Sequence, residues 1–336
     1  MWHRLPKHFL ALAPMDDVTD VVFRQVIAEE GKPDVFFTEF INVDALCSAG
    51  REAQSRRLLY TEDQRPIVVQ IWGKEPEHFR KVAAELVTMG FDGIDINMGC
   101  PDRTVLKNGL CSALIEDHVC AAEIIAAVKD GVSNSLSPRE RVGVRGRRVP
   151  LSVKTRLGIR KVVTEDWIGF LLEQDLDAIT IHARTVKEMS KAPARWEEIR
   201  RAVNLRDAMK RDTVIIGNGD VVSRTQALDY AERYGCDGVM IGRGVFRNLW
   251  IFHPEKCDTE PSLQERLRVL RRHVELYRDT WGETRSFKIL KKFIKVYVAG
   301  FPGAAEMRKE FMGTQSYEKL LEKIHHSSIG TGIPTN

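Results

Sequence analysis

Eight short apolar runs recur along the 336-residue chain: 9–14 (FLALAP), 35–40 (VFFTEF), 67–72 (IVVQIW), 93–97 (GIDIN), 151–155 (LSVKT), 178–182 (AITIH), 213–218 (TVIIGN) and 238–242 (GVMIG). Most are separated by segments of helical periodicity, and that alternation restricts the fold more than any other feature. In 75–90, for instance, Phe79, Val82, Ala83, Leu86 and Val87 follow i, i+3, i+4 spacing, and Gly90 supplies a stop. Strands apolar on both faces and joined by helices belong to a parallel sheet covered on both sides. Eight such units in about 250 residues predict a closed (β/α)8 TIM barrel in place of an open sheet, which has fewer strands.

The strand pattern ends near Cys257, and "DTEPS" (258–262) reads as a linker. The expected organisation is a barrel over 1–257, a small all-helical C-terminal domain over 263–326 and a flexible tail over 327–336. Within the barrel, a segment at about 132–149 is rich in Ser, Gly, Pro and Arg (Arg139, Arg141, Arg145, Arg147, Arg148), and reads as an exposed basic insertion on the non-catalytic face.

The formal charge of +4 permits a polyanionic partner without demanding one. The charge is unevenly placed. From Ser262 onward there are fourteen Lys/Arg against eight Asp/Glu, a larger excess than that of the whole chain. On a helical wheel Arg285, Lys288, Lys291, Lys292 and Lys295 fall within roughly 120° of one another, opposite Phe287, Leu290, Phe293, Ile294 and Tyr297. Such a face is either a solvated surface or a strip that meets a phosphate backbone. The six cysteines form no CxxC pair and no cluster with histidine at metal-ligand spacing, so neither a zinc site nor a disulfide framework is indicated and no metal is expected. No segment approaches membrane-spanning length and the apolar run near the N-terminus stops at Pro14, so a cytoplasmic protein with reduced thiols is expected.

In a barrel of this kind chemistry sits where strands end and βα loops begin. Those ends deliver Pro14 and Met15, Gln70, Asn97 and Cys100, Lys154, His182 and Arg184, "GNGD" (217–220) and "GRG" (242–244). Glycine turns after the seventh and eighth strands, with Arg243 as an added cation, suit a phosphate group. Lys154 has several readings: a partner for a core carboxylate, a Schiff-base nucleophile, or a cation beside a ring that becomes anionic on reduction.

Seven motifs, "LAPMDDVTDVVFR" (12–24), "VQIWG" (69–73), "DINMGCP" (95–101), "SVKTRLG" (152–158), "IHART" (181–185), "IGNGDV" (216–221) and "GVMIGRG" (238–244), resemble the tRNA-dihydrouridine synthase family in order and spacing. The basic helical tail resembles that family's C-terminal domain, and "TEFINVD" (38–44) leans toward its bacterial members. The resemblance implies FMN bound in the barrel mouth, NADPH as reductant, and reduction of the uracil C5–C6 double bond in tRNA. It implies that Pro14 and Met15 lie against the flavin ring and that Gln70 and Lys154 bond its polar edge. His182, Asn218, Gly219, Asp220, Gly242 and Arg243 would hold the ribityl phosphate end. Asn97 and Arg184 would fix the uracil, Arg285, Lys288, Lys292 and Lys295 would meet the tRNA backbone, and Cys100 would be the proton donor. One chain supplies all of these, so a monomer is expected.

That last role explains a thiol between Gly99 and Pro101. Hydride addition at C6 leaves enolate character at C5, which must take a proton from the opposite face. A thiol with a pKa of about 8.5 is mostly protonated at neutral pH and can donate it, on a loop that Gly99 is expected to keep mobile. Two departures from the family pattern bear on this site: Leu110, Cys111 and Ser112 where Gly and Ala are usual, and Asp16 and Asp17 beside the expected flavin. Two other readings stand beside the enzyme on tRNA. One is a flavin oxidoreductase of the dihydroorotate or dihydropyrimidine dehydrogenase type acting on a small molecule, which needs no basic appendage. The other is a tRNA-binding relative that has lost catalysis.

Overall fold

A computed structural model describes residues 1–135 and 149–329. All eight expected strands form: β1 (Phe9–Leu12), β2 (Phe36–Asn42), β3 (Ile67–Trp72), β4 (Gly93–Met98), β5 (Leu151–Arg156), β6 (Ala178–His182), β7 (Val214–Asn218) and β8 (Gly238–Ile241). They are parallel and ordered β1-β8-β7-β6-β5-β4-β3-β2. A parallel bridge between Ala11 and Val35 closes the ring, with the Leu12 amide donating to the Val35 carbonyl at 3.1 Å. The (β/α)8 barrel expected from the alternation of apolar runs is therefore the fold, and C-terminal helices follow it.

Helix starts follow local chemistry. Asp20 accepts from the Phe23 amide at 2.9 Å to begin Val21–Gly31, Pro76 opens Pro76–Thr88, and Ser262 with Glu265 forms a capping box on Leu263–Trp281. At the N-terminal end of the barrel Trp2 packs on Phe9 and Phe37, with ring centroids 5.9 and 6.3 Å apart, within a small core that includes Val68, Ile216 and Met240. Hydrophobic packing fills that end.

The expected insertion begins later than the composition suggested. Residues 132–135 complete the helix His118–Ser135, because Val132 is buried in the barrel core; 136–148, with all five arginines, lie outside the described residues. At the other end the helix Tyr317–Ile329 runs into the expected tail, and 330–336 lie outside the described residues. Among the described residues no helix is long and apolar enough to cross a membrane.

The C-terminal helices Leu263–Trp281 and Phe287–Tyr297 dock on Val21–Gly31. Phe23 stacks on Phe293 with centroids 5.3 Å apart and also meets His273. Around this apolar centre Arg268 pairs with Glu30 at 2.6 Å and Arg272 with Glu29 at 2.8 Å. The basic strip is divided. Lys288 and Lys295 are exposed, whereas Arg285 donates to Asp20 and Lys292 to the Asp17 carbonyl, both on the barrel. A helical wheel separates polar from apolar residues, yet which polar residues meet another element depends on docking.

Candidate active site

The C-terminal ends of the strands surround a cavity of about 670 Å³. Its wall includes Pro14, Met15, Gln70, Lys154, His182, Asn218, Gly219, Asp220, Gly242 and Arg243, and also Asn97, Cys100 and Arg184. Thirteen residues named from strand ends thus share one space. Arg285, Lys288, Lys292 and Lys295 lie outside it, on or beside the C-terminal helix Phe287–Tyr297.

Buried amides and a carboxylate fix the floor. Asp95 on β4 accepts from the Ser152 hydroxyl at 2.6 Å and from Gln70 Nε2 at 2.7 Å. Gln70 Oε1 accepts from Asn97 Nδ2 at 3.0 Å, and Asn97 Oδ1 accepts from the amides of both Gly99 and Cys100, each at 3.0 Å. Both of Gln70's amide heteroatoms are thereby engaged, leaving one N–H and one lone pair for a ligand. Burial pushes the Asp95 carboxyl up to about 6, against the pull of Ser152 and Gln70.

Cys100 sits at the end of this chain, half-buried. Its own carbonyl accepts from the Ser112 hydroxyl at 2.5 Å, and Arg156 Nε donates to the Gly99 carbonyl at 2.8 Å. The backbone around the thiol is pinned from several directions. Gly99 serves close approach here: a Cβ would come within 3.3 Å of the Lys154 carbonyl and the Thr155 backbone. Of the departures in this loop, Ser112 supplies an anchor, and Cys111 is buried with its thiol pushed up by burial. Burial pushes the Cys100 thiol up as well, which keeps it protonated.

Cations crowd the opposite wall. Lys154 Nζ lies 3.4 Å from Asn218 Oδ1, and burial, reinforced by Arg156, draws its ammonium down to about 8. Burial is also the main cause that holds His182 far below the usual imidazole value, with Arg156, Lys154, Arg184 and Arg243 adding to it. Arg243 and Arg247 are exposed to the cavity and form no ion pair with a carboxylate among the described residues. Gly219 has φ +136, a conformation that L side chains rarely adopt, and its carbonyl is held by Trp196 Nε1 at 2.9 Å. Asp16 and Asp17 stand outside this wall, paired with Arg57 and, for Asp17, Arg285. Asp16 nonetheless acts on the Cys100 thiol, as one of the smaller causes that raise it.

Residues 11–329 match the dihydrouridine synthase (Dus) family. The chain belongs to the dihydrouridine synthase family. As a member of that family it is an oxidoreductase. A "probable tRNA-dihydrouridine synthase" of Staphylococcus aureus (strain MRSA252) is 46% identical over 318 residues, spanning 94% of this chain and 92% of its own. A "probable tRNA-dihydrouridine synthase 2" of Bacillus subtilis (strain 168) is 45% identical over 322 residues, spanning 95% and 94%. Among solved structures, histamine dehydrogenase from Rhizobium sp. 4-9 superposes with a TM-score of 0.53 at 10% identity, covering 96% of this chain and 62% of that one. DHODH from Eimeria tenella does so with 0.51 at 15%, covering 70% and 76%. At such identities the likeness is one of fold.

In this member of the dihydrouridine synthase family several cavity residues escaped the sequence reading: Phe40, Arg156, Phe246 and Arg247. Arg156 carried a usable signal. It lies two residues beyond Lys154 on the same strand, so period-two alternation puts both side chains on one face.

Proposed function

We propose that this protein reduces uridine to 5,6-dihydrouridine in tRNA, with FMN bound in the barrel mouth, NADPH as reductant, and Cys100 as the proton donor to C5. The observation that carries the reading is the shared cavity, which joins a protonated, half-buried thiol to a cationic, glycine-lined end. The residues fit FMN. Gly219, Gly242 and Gly244 line the cavity beside Arg243 and Arg247, which suits a phosphate. His182, Asn218, Gly219, Gly242 and Arg243 would hold that end, with Asp220 behind them through Arg184; Pro14 and Met15 would hold the ring face, and Gln70 and Lys154 the polar edge. Bound FMN supplies the hydride for uracil C6.

The chain's own groups do the rest. Lys154, adjacent to Arg156, brings positive charge to the edge where a reduced ring carries its negative charge. Asn97 has one N–H left after bonding Gln70, a donor suited to a uracil carbonyl. Cys100 keeps its proton until C5 requires it. A base must be turned out of its stack to enter, at a cost of a few kcal/mol, and contacts from the basic helices to tRNA phosphates would offset it. The reading takes the protein as a monomer, since the site and the basic face need only one chain, and tRNA as substrate supports a cytoplasmic location.

Absorbance of the purified protein at about 450 nm, bleached by NADPH, tests the flavin. Mass analysis of tRNA from cells with and without the gene tests the reaction, with a gain of about two daltons at a uridine expected. Flavin without that gain would refute the tRNA substrate.

A further inference from the structure

Arg184 lies two residues beyond His182, just past the end of β6, and is almost wholly buried. Each of its nitrogens has a protein partner. Nε donates to the Ala192 carbonyl at 2.5 Å, Nη2 donates to Asp220 Oδ2, and Nη1 lies 3.2 Å from His182 Nε2. Asp220 is itself held, its Oδ2 also accepting from the Ala194 amide at 2.9 Å. A guanidinium only donates. The imidazole nitrogen it faces must therefore offer a lone pair, and an imidazole with a bare Nε2 carries its proton on Nδ1.

The second nitrogen is free for a ligand. Nδ1 has no hydrogen-bond partner among the described residues, it is not among the buried polar atoms left unpaired, and the ring lines the cavity. The charged groups facing the ring are Lys154 and Arg156 from β5, Arg184 from the loop after β6 and Arg243 from the turn after β8; Asp220 reaches it through Arg184. Four cations oppose a second proton, and the Arg184 contact leaves no room for one on Nε2.

We propose that Asp220 and Arg184 are positioning residues that fix His182 in the Nδ1–H tautomer, so that the ring is a standing hydrogen-bond donor to an oxygen of the ligand at that end of the cavity. Identifying that oxygen as one of a ribityl phosphate rests on the flavin reading above; the tautomer does not. The carboxylate of Asp220 then serves the phosphate site indirectly, since it holds the arginine that sets the histidine.

The test is the imidazole spectrum of the full-length, 15N-labelled protein, recorded with and without FMN, with His182 assigned by its disappearance in His182→Gln. Wild type should show protonated Nδ1 and bare Nε2 from about pH 5.5 to 8 in both states. Arg184→Met should show both tautomers of a ring that stays neutral, because burial, Lys154, Arg156 and Arg243 remain, with FMN bound about tenfold more weakly, the loss of one fixed hydrogen bond. Asp220→Ala, which can accept from neither Arg184 nor the Ala194 amide, should give a mixture of tautomers should the arginine variant not fold. A wild-type proton on Nε2, an imidazolium at pH 6, or an unchanged ring in folded Arg184→Met or Asp220→Ala overturns the proposal. Nδ1–H in a protein that takes up no FMN would leave this inference standing while the flavin reading fails; FMN bound with the proton on Nε2 would do the reverse.

Discussion

Arg285 reaches from the C-terminal helices to donate to one oxygen of Asp20, while the other oxygen of Asp20 accepts from the Phe23 amide and begins the first barrel helix. One buried carboxylate therefore joins the two parts of the molecule, five residues after Met15. Burial pushes that carboxyl up, and the Phe23 amide and Arg285 pull against it. The guanidinium also lies over Trp281, 5.2 Å from its centroid. Arg285→Ala should lower stability by about 3 kcal/mol by leaving Asp20 buried without this partner. Lys288→Ala, at an exposed position, should leave the urea midpoint where it is. Equal midpoints for both variants and wild type would remove the tether.

The same division of the strip separates binding from stability. Reversing Lys288 and Lys295 to Glu should weaken tRNA binding and flatten the slope of log affinity against log salt by about one unit per lost phosphate contact, with FMN retained. Lys292→Ala should act chiefly on stability, since its ammonium holds the Asp17 carbonyl. Filter binding across a salt series checks both. Unchanged affinity of the double variant at low salt would place the tRNA elsewhere.

Cys100→Ala should keep its flavin and its NADPH oxidation and lose dihydrouridine formation by about 100-fold or more. Burial raises the wild-type thiol, so product formed per NADPH consumed should hold constant through about pH 8.5, the value for an ordinary thiol. Full product from the alanine variant at neutral pH would show that another group gives the proton.

Asp95 is raised by burial to about 6, above its unfolded value of about 3.9. A carboxyl raised on folding contributes stability that is present below the unfolded value and is lost as pH rises through the folded one. Asp95→Asn can still accept from Gln70 and donate to Ser152, and no longer titrates. Wild type should therefore gain on the variant by roughly 2–3 kcal/mol between about pH 7 and pH 4. Parallel stability curves over that range would mean Asp95 stays ionised.

The barrel was legible because a parallel strand buried on both faces must be apolar throughout, and the eight runs mark β1–β8 to within about two residues. Its mouth was legible because strand ends in such a barrel converge. Arg156 lies beyond the fifth apolar run, which ends at Thr155, although β5 continues through it. Burial in the core extends the helix His118–Ser135 beyond where glycine and serine suggested a loop. Pairings across long separations, such as Arg285 with Asp20 or Arg57 with Asp16, leave no periodic trace in a sequence. The pinning of Gly99 and Cys100 is of that sort too, since Ser112 and Arg156 reach it from separate loops and strands.

Stacked aromatics and flanking ion pairs seat the C-terminal helices on Val21–Gly31, so the span from the Cys100 sulfur to the exposed ammonium groups of Lys288 and Lys295 is set once, at folding. On the proposed function, a polynucleotide substrate would have to present its target base and its backbone at that separation. Choice among uridines along one strand would then become a matter of length, gauged as a calliper gauges width.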